Sequence, residues 1–233
     1  MSCYHPIAAY PDYSERTSNG KVAYKLFGRY DPDCRLVDPK VIAVPCGRCI
    51  GCRLDYSRQW ADRMMLELEH TGKAIFVTLT YDNDHVPQIE GQEGEFGSLT
   101  LDKIDLQLFF KRLRKKFSDK EIRYYACGEY GENTLRPHYH AIIFGLALED
   151  FPDRVPLGRN ELGQLHYKSA VFQRIWSNGF IVLADVSWKT CAYVSRYVQK
   201  KVFAGKQIMS DVFGAEPEFS LMSRRPGIGA FYL

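Results

Sequence analysis

No stretch of this 233-residue chain approaches the roughly 20 consecutive apolar residues that a membrane-spanning helix requires. The N-terminus, MSCYHPIAAYPDYSERTSNGK, lacks the basic start and apolar stretch of a secretory signal, so the protein is expected to work inside a cell. No G-x-x-x-x-G-K-[ST] loop is present, which argues against a helicase. No internal repeat is visible. Charge of one sign is not in excess either: 31 Lys and Arg against 28 Asp and Glu leave +3, too little to argue for nucleic acid by itself. Seven cysteines, an odd number, do not make a full disulfide framework. With 45% apolar and 25% charged residues, the composition is that of a folded protein with a real core, which excludes an acidic disordered tail, a collagen-like repeat and a low-complexity linker. The length suits one large domain or two small ones.

The charge that is present is unevenly spread. Lys111, Arg112, Arg114, Lys115 and Lys116 crowd one stretch, and Arg196, Lys200, Lys201 and Lys206 another. Basic clusters among abundant aromatics suit phosphate contact with base stacking, although the run at 111–116 reads first as a solvated helix face.

Residues 1–45 are rich in turn formers and are expected to be irregular, with a hairpin in KVAYKLFGRY. Helical spacing of Leu54, Ala61, Met64, Met65 and Leu68 predicts a helix over about 53–70, ended by Gly72. AIFVTLTY is a β-branched and aromatic strand, buried on both faces at its start. After a polar loop, Thr100 is placed to cap a helix in LDKIDLQLFFKRLRKKF. EIRYYACGE and HYHAIIFG are strands joined by the loop GENTLRP; KSAVFQRIWSNG is a short helix, FIVLADV a strand, and Ser187 opens the helix SWKTCAYVSRYVQKKVF. The order β-α-β-β-α-β-α predicts an α+β fold: a ferredoxin-like, RRM-like antiparallel sheet with helices on one face. The expected organisation is an N-terminal region (1–70), this core (71–206) and an irregular tail (207–233) that stops abruptly at Leu233, as a truncated chain does.

Cys46, Cys49 and Cys52 are spaced C-x-x-C-x-x-C. In a reducing compartment that spacing reads as metal ligation, and three thiolates leave one tetrahedral zinc position open. Cys3 is the first candidate for it, with His5 and Cys34 behind. An iron–sulfur cluster is the alternative, but no Cys-Pro follows at the ferredoxin spacing. Structural zinc would anchor the N-terminal segment and present Arg48, Arg53 and Arg58 to DNA. Cys127 and Cys191 are expected in the core.

His138 and His140 flank Tyr139 on a strand, so both imidazoles project from one face and can meet one divalent ion. A carboxylate is the usual third ligand; Glu129, at the end of the preceding strand, is the candidate and Glu132 its competitor. Tyr193 and Tyr197 lie one helical turn apart, and Lys200 extends their face. A tyrosine hydroxyl titrates near 10, so as a nucleophile it needs help from an ammonium or a metal-polarised phosphate. Taken singly, each of these features has a bland structural reading. His70, His85 and His166 read as isolated surface residues, and Trp60, Trp176 and Trp188 as core anchors.

Together, a His-x-His strand, an upstream Thr78-Leu79-Thr80 strand and a downstream helix carrying Y-x-x-x-Y and Y-x-x-K resemble the HUH endonucleases. The wider string PCGRCIGCR, FVTLTYD, YYACGEYG, RPHYHAIIFG, YVSRYVQKK and MSRRPGIG resembles the replication initiators of gokushovirus-type microviruses over nearly the whole chain. The resemblance implies Mg²⁺ or Mn²⁺ at His138, His140 and Glu129, and nicking of a single-stranded phage origin through a 5′-phosphotyrosine link. Tyr193 and Tyr197 would alternate as nucleophiles. The first attack falls to Tyr197, because Lys200 completes its Y-x-x-K whereas Tyr193 has Arg196 at that spacing. Lys111, Arg112 and Lys201 join Arg48 and Arg53 as DNA contacts. A host helicase and polymerase would be partners, in the cytoplasm of a bacterial host and away from membranes. The rival readings are an HUH transposase or plasmid initiator, and a non-catalytic, zinc-stabilised DNA-binding protein.

Overall fold

The computed structural model describes residues 2–92, 94, 97–131, 133–160, 163–202 and 212–232, with backbone alone for 196–202 and 232. It forms two compact units, Met1–Ser57 and Arg58–Leu233. It is a mixed α+β chain with antiparallel sheets.

The first unit is a three-stranded sheet ordered β2-β1-β3, from β1 (Ile7–Arg16), β2 (Val22–Arg29) and β3 (Ile42–Val44), with the single turn of α1 (Cys34–Val37). The expectation of an irregular N-terminal stretch is therefore corrected. The hairpin pairs β2 with β1, not within KVAYKLFGRY. Pro11 concealed the long strand. It pairs with Tyr24 on one side, while β3 reaches only Ile7–Ala9 on the other, so the strand is an open edge beside Pro11, where proline is tolerated. From this unit α2 (Ile50–Thr71) runs on into the second, starting within the cysteine cluster and three residues earlier than its spacing predicts.

The second unit holds β4 (Ala74–Tyr81), α3 (Lys103–Lys116), β5 (Arg123–Tyr130), β6 (Pro137–Phe144), β7 (Val155–Arg159), β8 (Leu165–Lys168), α4 (Ala170–Trp176), β9 (Gly179–Asp185), α5 (Trp188–Val202) and β10 (Phe219–Met222). Its strands are ordered β10-β5-β6-β4-β9-β8-β7, every neighbour antiparallel. Each strand and helix anticipated between 74 and 202 is present. The β7–β8 hairpin and β10 are additions. All five residues of β7 are exposed, so no alternating burial marked it.

β4 explains why helices cover both faces, where one was expected. Ile75, Val77, Leu79 and Tyr81 pack with Leu106, Phe109 and Leu113 of α3 and Phe172 and Trp176 of α4. Phe76 points the other way, into a second cluster with Ala61 and Met64 of α2 and Cys191, Ala192 and Val194 of α5. Tyr139, between the two histidines, is fully buried on the α3 face, where its hydroxyl meets that of Tyr81 at 2.8 Å and donates to Asp102 O at 2.7 Å. Strand alternation therefore leaves His138 and His140 on the α5 face. Asp102, not Thr100, caps α3: its carboxylate accepts from Ile104 N at 2.6 Å, and Thr100 accepts from Glu216 N instead.

The tail is not wholly irregular. Beyond β10, Arg123 donates to the carbonyls of Pro226 and Gly227, both at 2.9 Å, and Gly229 N donates to Glu67 Oε2 at 2.7 Å. Arg123 and Glu67 also pair with each other, side chain to side chain, in the interior. Lys206 and the other residues of 203–211 lie outside the described residues.

Candidate metal centre and active site

Cross-strand register assembles the centre. Glu129 is directly opposite His138 across β5 and β6; on the other side, β4 sets Thr80 opposite His138 and Thr78 opposite His140. Paired residues share a face, so a carboxylate and two imidazoles converge beneath α5. Glu129 Oε1 lies 2.7 Å from His138 Nε2 and 2.9 Å from His140 Nε2. Glu129 and His140 are buried, and His138 partly so. Glu132, the competitor, lies outside the described residues.

Each imidazole is oriented from behind. His138 Nδ1 lies 3.1 Å from Arg136 O and His140 Nδ1 lies 2.9 Å from Thr78 Oγ1. A carbonyl only accepts, so His138 carries its proton on Nδ1. In the neutral ring, Nε2 then turns a lone pair towards Glu129 Oε1. Burial pushes His140 below the ordinary imidazole pKa, more than Glu129 pulls it up. For Glu129, burial pushes upward, but the close contacts with the His138 and His140 ring nitrogens outweigh it, holding the carboxyl below its ordinary range. A carboxylate oxygen this close to two imidazole nitrogens needs a shared proton or a cation between them. Glu129 Oε2 is buried without a hydrogen-bond partner among the described residues. The donor set fits a divalent cation: two imidazole nitrogens with a carboxylate.

Helix α5 covers this face. The Tyr193 ring stands edge-on to His140, centroids 5.3 Å apart, and to Phe76 at 6.4 Å; it is 39% exposed, open to a substrate. The side chains of Arg196, Tyr197, Lys200 and Lys201 lie outside the described residues.

The other expected contacts are scattered. Lys111 is exposed on α3, across the sheet from the triad. Arg112 donates to Ile175 O at 2.7 Å and Trp176 O at 2.8 Å, closing the end of α4, and Arg114 donates to Ile122 O, so the basic run is not simply a solvated face. Of the three tryptophans, Trp176 is core, Trp60 packs on Tyr125 and Trp188 is half exposed, donating to Asp62 at 3.2 Å. His85 is exposed beside Asp82, and His70 stacks on Phe231. His166, expected as an isolated surface residue, is half-buried in the wall of a cavity shared with His140. Thr78, Phe76 and His166 join the site through register and tertiary packing. Only the alternation in LHYK, which puts His166 on one strand face, was there to be read.

In the first unit, Cys46, Cys49 and Cys52 converge with Cys3. Cys34 lies outside this group beneath the Tyr10 hydroxyl, which donates to its sulfur at 3.0 Å, and His5 is not in the group either. The described cysteines are all free, and the contacts Cys46–Cys52 and Cys49–Cys3 are both 3.9 Å. Zn–S bonds of about 2.3 Å give a tetrahedron with edges of about 3.8 Å, so the sulfurs stand at zinc-site spacing. Backbone amides point at them: Tyr4 N and Cys52 N donate to Cys49 Sγ, Cys49 N to Cys46 Sγ and Cys46 N to Cys3 Sγ. These amide bonds lower the Cys46 and Cys49 thiols, the latter to about 6, while burial pushes Cys52 up to about 12. Gly51 lets the N-terminal segment approach, since a Cβ there would sit 1.8 Å from Ser2 O. Arg48 is exposed and Arg53 half-buried beside this cluster in sequence.

Fold and site thus define an antiparallel α+β protein whose central sheet presents a Glu-His-His cluster to a tyrosine-bearing helix. Residues 74–202, which carry all of that arrangement, match the family model of replication-associated proteins of the ORF2 type, and the chain belongs to that family. It is 33% identical over 189 residues to the replication-associated protein ORF2 of Spiroplasma virus 4, covering 79% of this chain and 54% of the relative. With the replication-associated protein VP4 of Bdellovibrio phage phiMH2K it shares 36% identity over 170 residues, 70% of this chain and 50% of the relative. The replication-associated protein ORF4 of Chlamydia phage 1 is 28% identical over 193 residues, 81% of this chain and 46% of its own. The chain spans about half the length of these relatives. No solved structure matches it.

Proposed function

We propose that the chain is an HUH-type nickase and strand transferase acting on single-stranded DNA, which initiates rolling-circle replication of a phage genome of the gokushovirus type. The observation that carries this reading is the convergence of His138, His140 and Glu129 beside Tyr193, with a buried carboxylate oxygen that has no hydrogen-bond partner among the described residues. The order of its central strands, β5-β6-β4-β9, supports the ferredoxin-like reading of the core. The relatives' names favour replication over transposition.

His138 Nε2, His140 Nε2 and Glu129 would hold Mg²⁺ or Mn²⁺, which when bound would supply Lewis-acid polarisation of the scissile phosphate. Glu129 and His140 stay charged and neutral respectively at neutral pH, and Thr78 and Arg136 O fix the rings. The tyrosine hydroxyl gives up its proton as its oxygen attacks phosphorus, forming a P–O bond; the bond to the 3′ oxygen breaks, and that oxygen takes up one proton as the 3′-hydroxyl that primes synthesis. The phosphotyrosine link retains the phosphodiester energy, so rejoining needs no ATP. Tyr193 is one nucleophile; Tyr197, aided by Lys200, is the other and is assigned the first cut. Cys3, Cys46, Cys49 and Cys52 would hold structural Zn²⁺ as thiolates. Arg48, Arg53 and Lys201 are assigned to DNA phosphates; Lys111 and Arg112 are left out, one on the far face and the other engaged with α4. A host helicase and polymerase act beside it in the bacterial cytoplasm.

The test is incubation with circular single-stranded phage DNA and Mn²⁺, looking for protein joined to a DNA 5′ end. The expected adduct disappears with EDTA and in Tyr193→Phe/Tyr197→Phe, and the single variants show which tyrosine cuts first. DNA that binds but never becomes attached would overturn the enzyme reading.

A further inference from the structure

Next to the triad lies a cavity of about 450 Å³, within the roughly 300–1,000 Å³ of small-ligand sites. It lies between the sheet, the β7–β8 hairpin and the start of α5. Its inner wall is aromatic: Phe76, buried and stacked on His140 with centroids 5.6 Å apart, and Tyr193 edge-on to both. Its outer wall is the hairpin, which fastens itself in place. Gln164 N donates to Asn160 Oδ1 at 2.9 Å, and Gln164 Nε2 reaches across to Asp185 O at 2.7 Å on β9. Register puts His166 beside Ala184 and so, through Phe76, on the same face as the triad. Among the described lining residues, Lys189, at the start of α5, is the only Lys or Arg, and the Asp185 carboxylate opposes a second anion.

This wall chemistry suits a flat aromatic ligand with a polar edge, and not a phosphate. We infer that the cavity takes one unstacked nucleobase of the single-stranded substrate, beside the nucleotide whose phosphate lies at the triad. Phe76 and Tyr193 supply the aromatic surface, and Asn160 and His166 face the base edge. The inference rests on the nickase reading and adds where the strand is gripped. Bases taken out of a stack are held in this way, by aromatic faces and edge hydrogen bonds, each stacked base contributing about tenfold or more in affinity. The hairpin thereby acquires a role that the triad and tyrosines do not give it: it sets which base is accepted next to the cut.

The test is photocrosslinking of the whole chain to a short oligonucleotide of 5-iododeoxyuridine, with the linked residues mapped by mass spectrometry. Links to Phe76, His166 or Tyr193 are expected. They should vanish in His166→Trp, which fills the cavity, with oligonucleotide affinity about tenfold weaker. In His166→Ala, which leaves it open, the links to Phe76 or Tyr193 should persist. Melting curves establish that both variants fold. Links confined to other residues, or unchanged links in folded His166→Trp, overturn the base pocket. If the tyrosine adduct still forms on circular DNA in that case, the nickase reading stands alone. If wild type neither binds the oligonucleotide nor forms the adduct, both fall together.

Discussion

Thr78 shows how much of the centre rests on single atoms outside the ligand set. Its hydroxyl lies 2.9 Å from His140 Nδ1 and helps to aim the buried ring at Glu129. Such supporting contacts are worth about 10- to 100-fold in metal affinity. Thr78→Val, close in volume, is expected to weaken Mn²⁺ binding by that factor in calorimetric titration, with Thr78→Ser restoring it. Equal affinity in all three proteins would remove Thr78 from the centre. The same residues give stability a pH dependence of definite sign. Glu129 and His140 both have folded-state pKa values below their ordinary 4.5 and 6.5, so the unfolded chain takes up protons first as pH falls. Without metal, stability is full above about 6.5, falls on acidification as His140 is driven towards charging, and falls further below about 4.5 through Glu129. Urea midpoints in EDTA at neutral and mildly acidic pH measure this; a midpoint that rises on acidification contradicts it. The His-x-His spacing was legible from strand alternation, and Glu129 from the short connection between β5 and β6. The partnership of Thr78 with His140 was not, because register between strands distant in sequence depends on packing that no local pattern records.

The elements whose burial alternates or recurs at helical spacing were legible, and those held by tertiary partners were not. β10 and the segment after it have little pattern of their own. They are fixed by Arg123, Glu67 and the donation from Arg63 Nε to Ile228 O at 2.8 Å. α2 is thus tied to β5 and to the tail through one buried ion pair, whose side chains are 6% and 0% exposed. Removing one partner strands the other charge in the interior, a loss of about 3–5 kcal/mol. Glu67→Ala is expected to show it as an unfolding midpoint far below wild type, with Arg123→Ala similarly weak and the double variant less than additive. Additive losses would mean that the two charges do not act as a pair. At the other end of α2, Gly51 is required by close approach: a Cβ would collide with Ser2 O and displace the segment that carries Cys3. Gly51→Ala should therefore surrender zinc to a chromogenic chelator faster than wild type, and unchanged release would show that Cys3 is not held by this approach.

At the scale of the whole molecule, two candidate metal-ligand clusters of different chemistry lie in two different compact units. The four-thiolate cluster is in Met1–Ser57 and the Glu-His-His cluster in Arg58–Leu233. Their dependence on metal should differ in kind. The first unit has a small sheet of three strands, and among its largest exposed side chains are Leu26, Phe27, Leu36 and Val37, at 62%, 69%, 84% and 89%. With so little apolar burial of its own, it is expected to need a metal cross-link at the four cysteines, where zinc binding would be folding free energy. The second unit closes two hydrophobic clusters around seven strands, and its triad sits on a finished scaffold. Stripping all metal should therefore unfold the first unit and leave the second standing. Limited proteolysis of the full chain after strong chelation is expected to cut within residues 2–57 and leave a resistant fragment starting near Arg58. That fragment should still gain thermal stability when Mn²⁺ is returned, whereas zinc-loaded protein should resist cleavage throughout. Digestion of the whole chain at a single rate would show that the two units stand or fall as one. A resistant N-terminal region in fully stripped protein would show instead that its sheet, and not the metal, holds it.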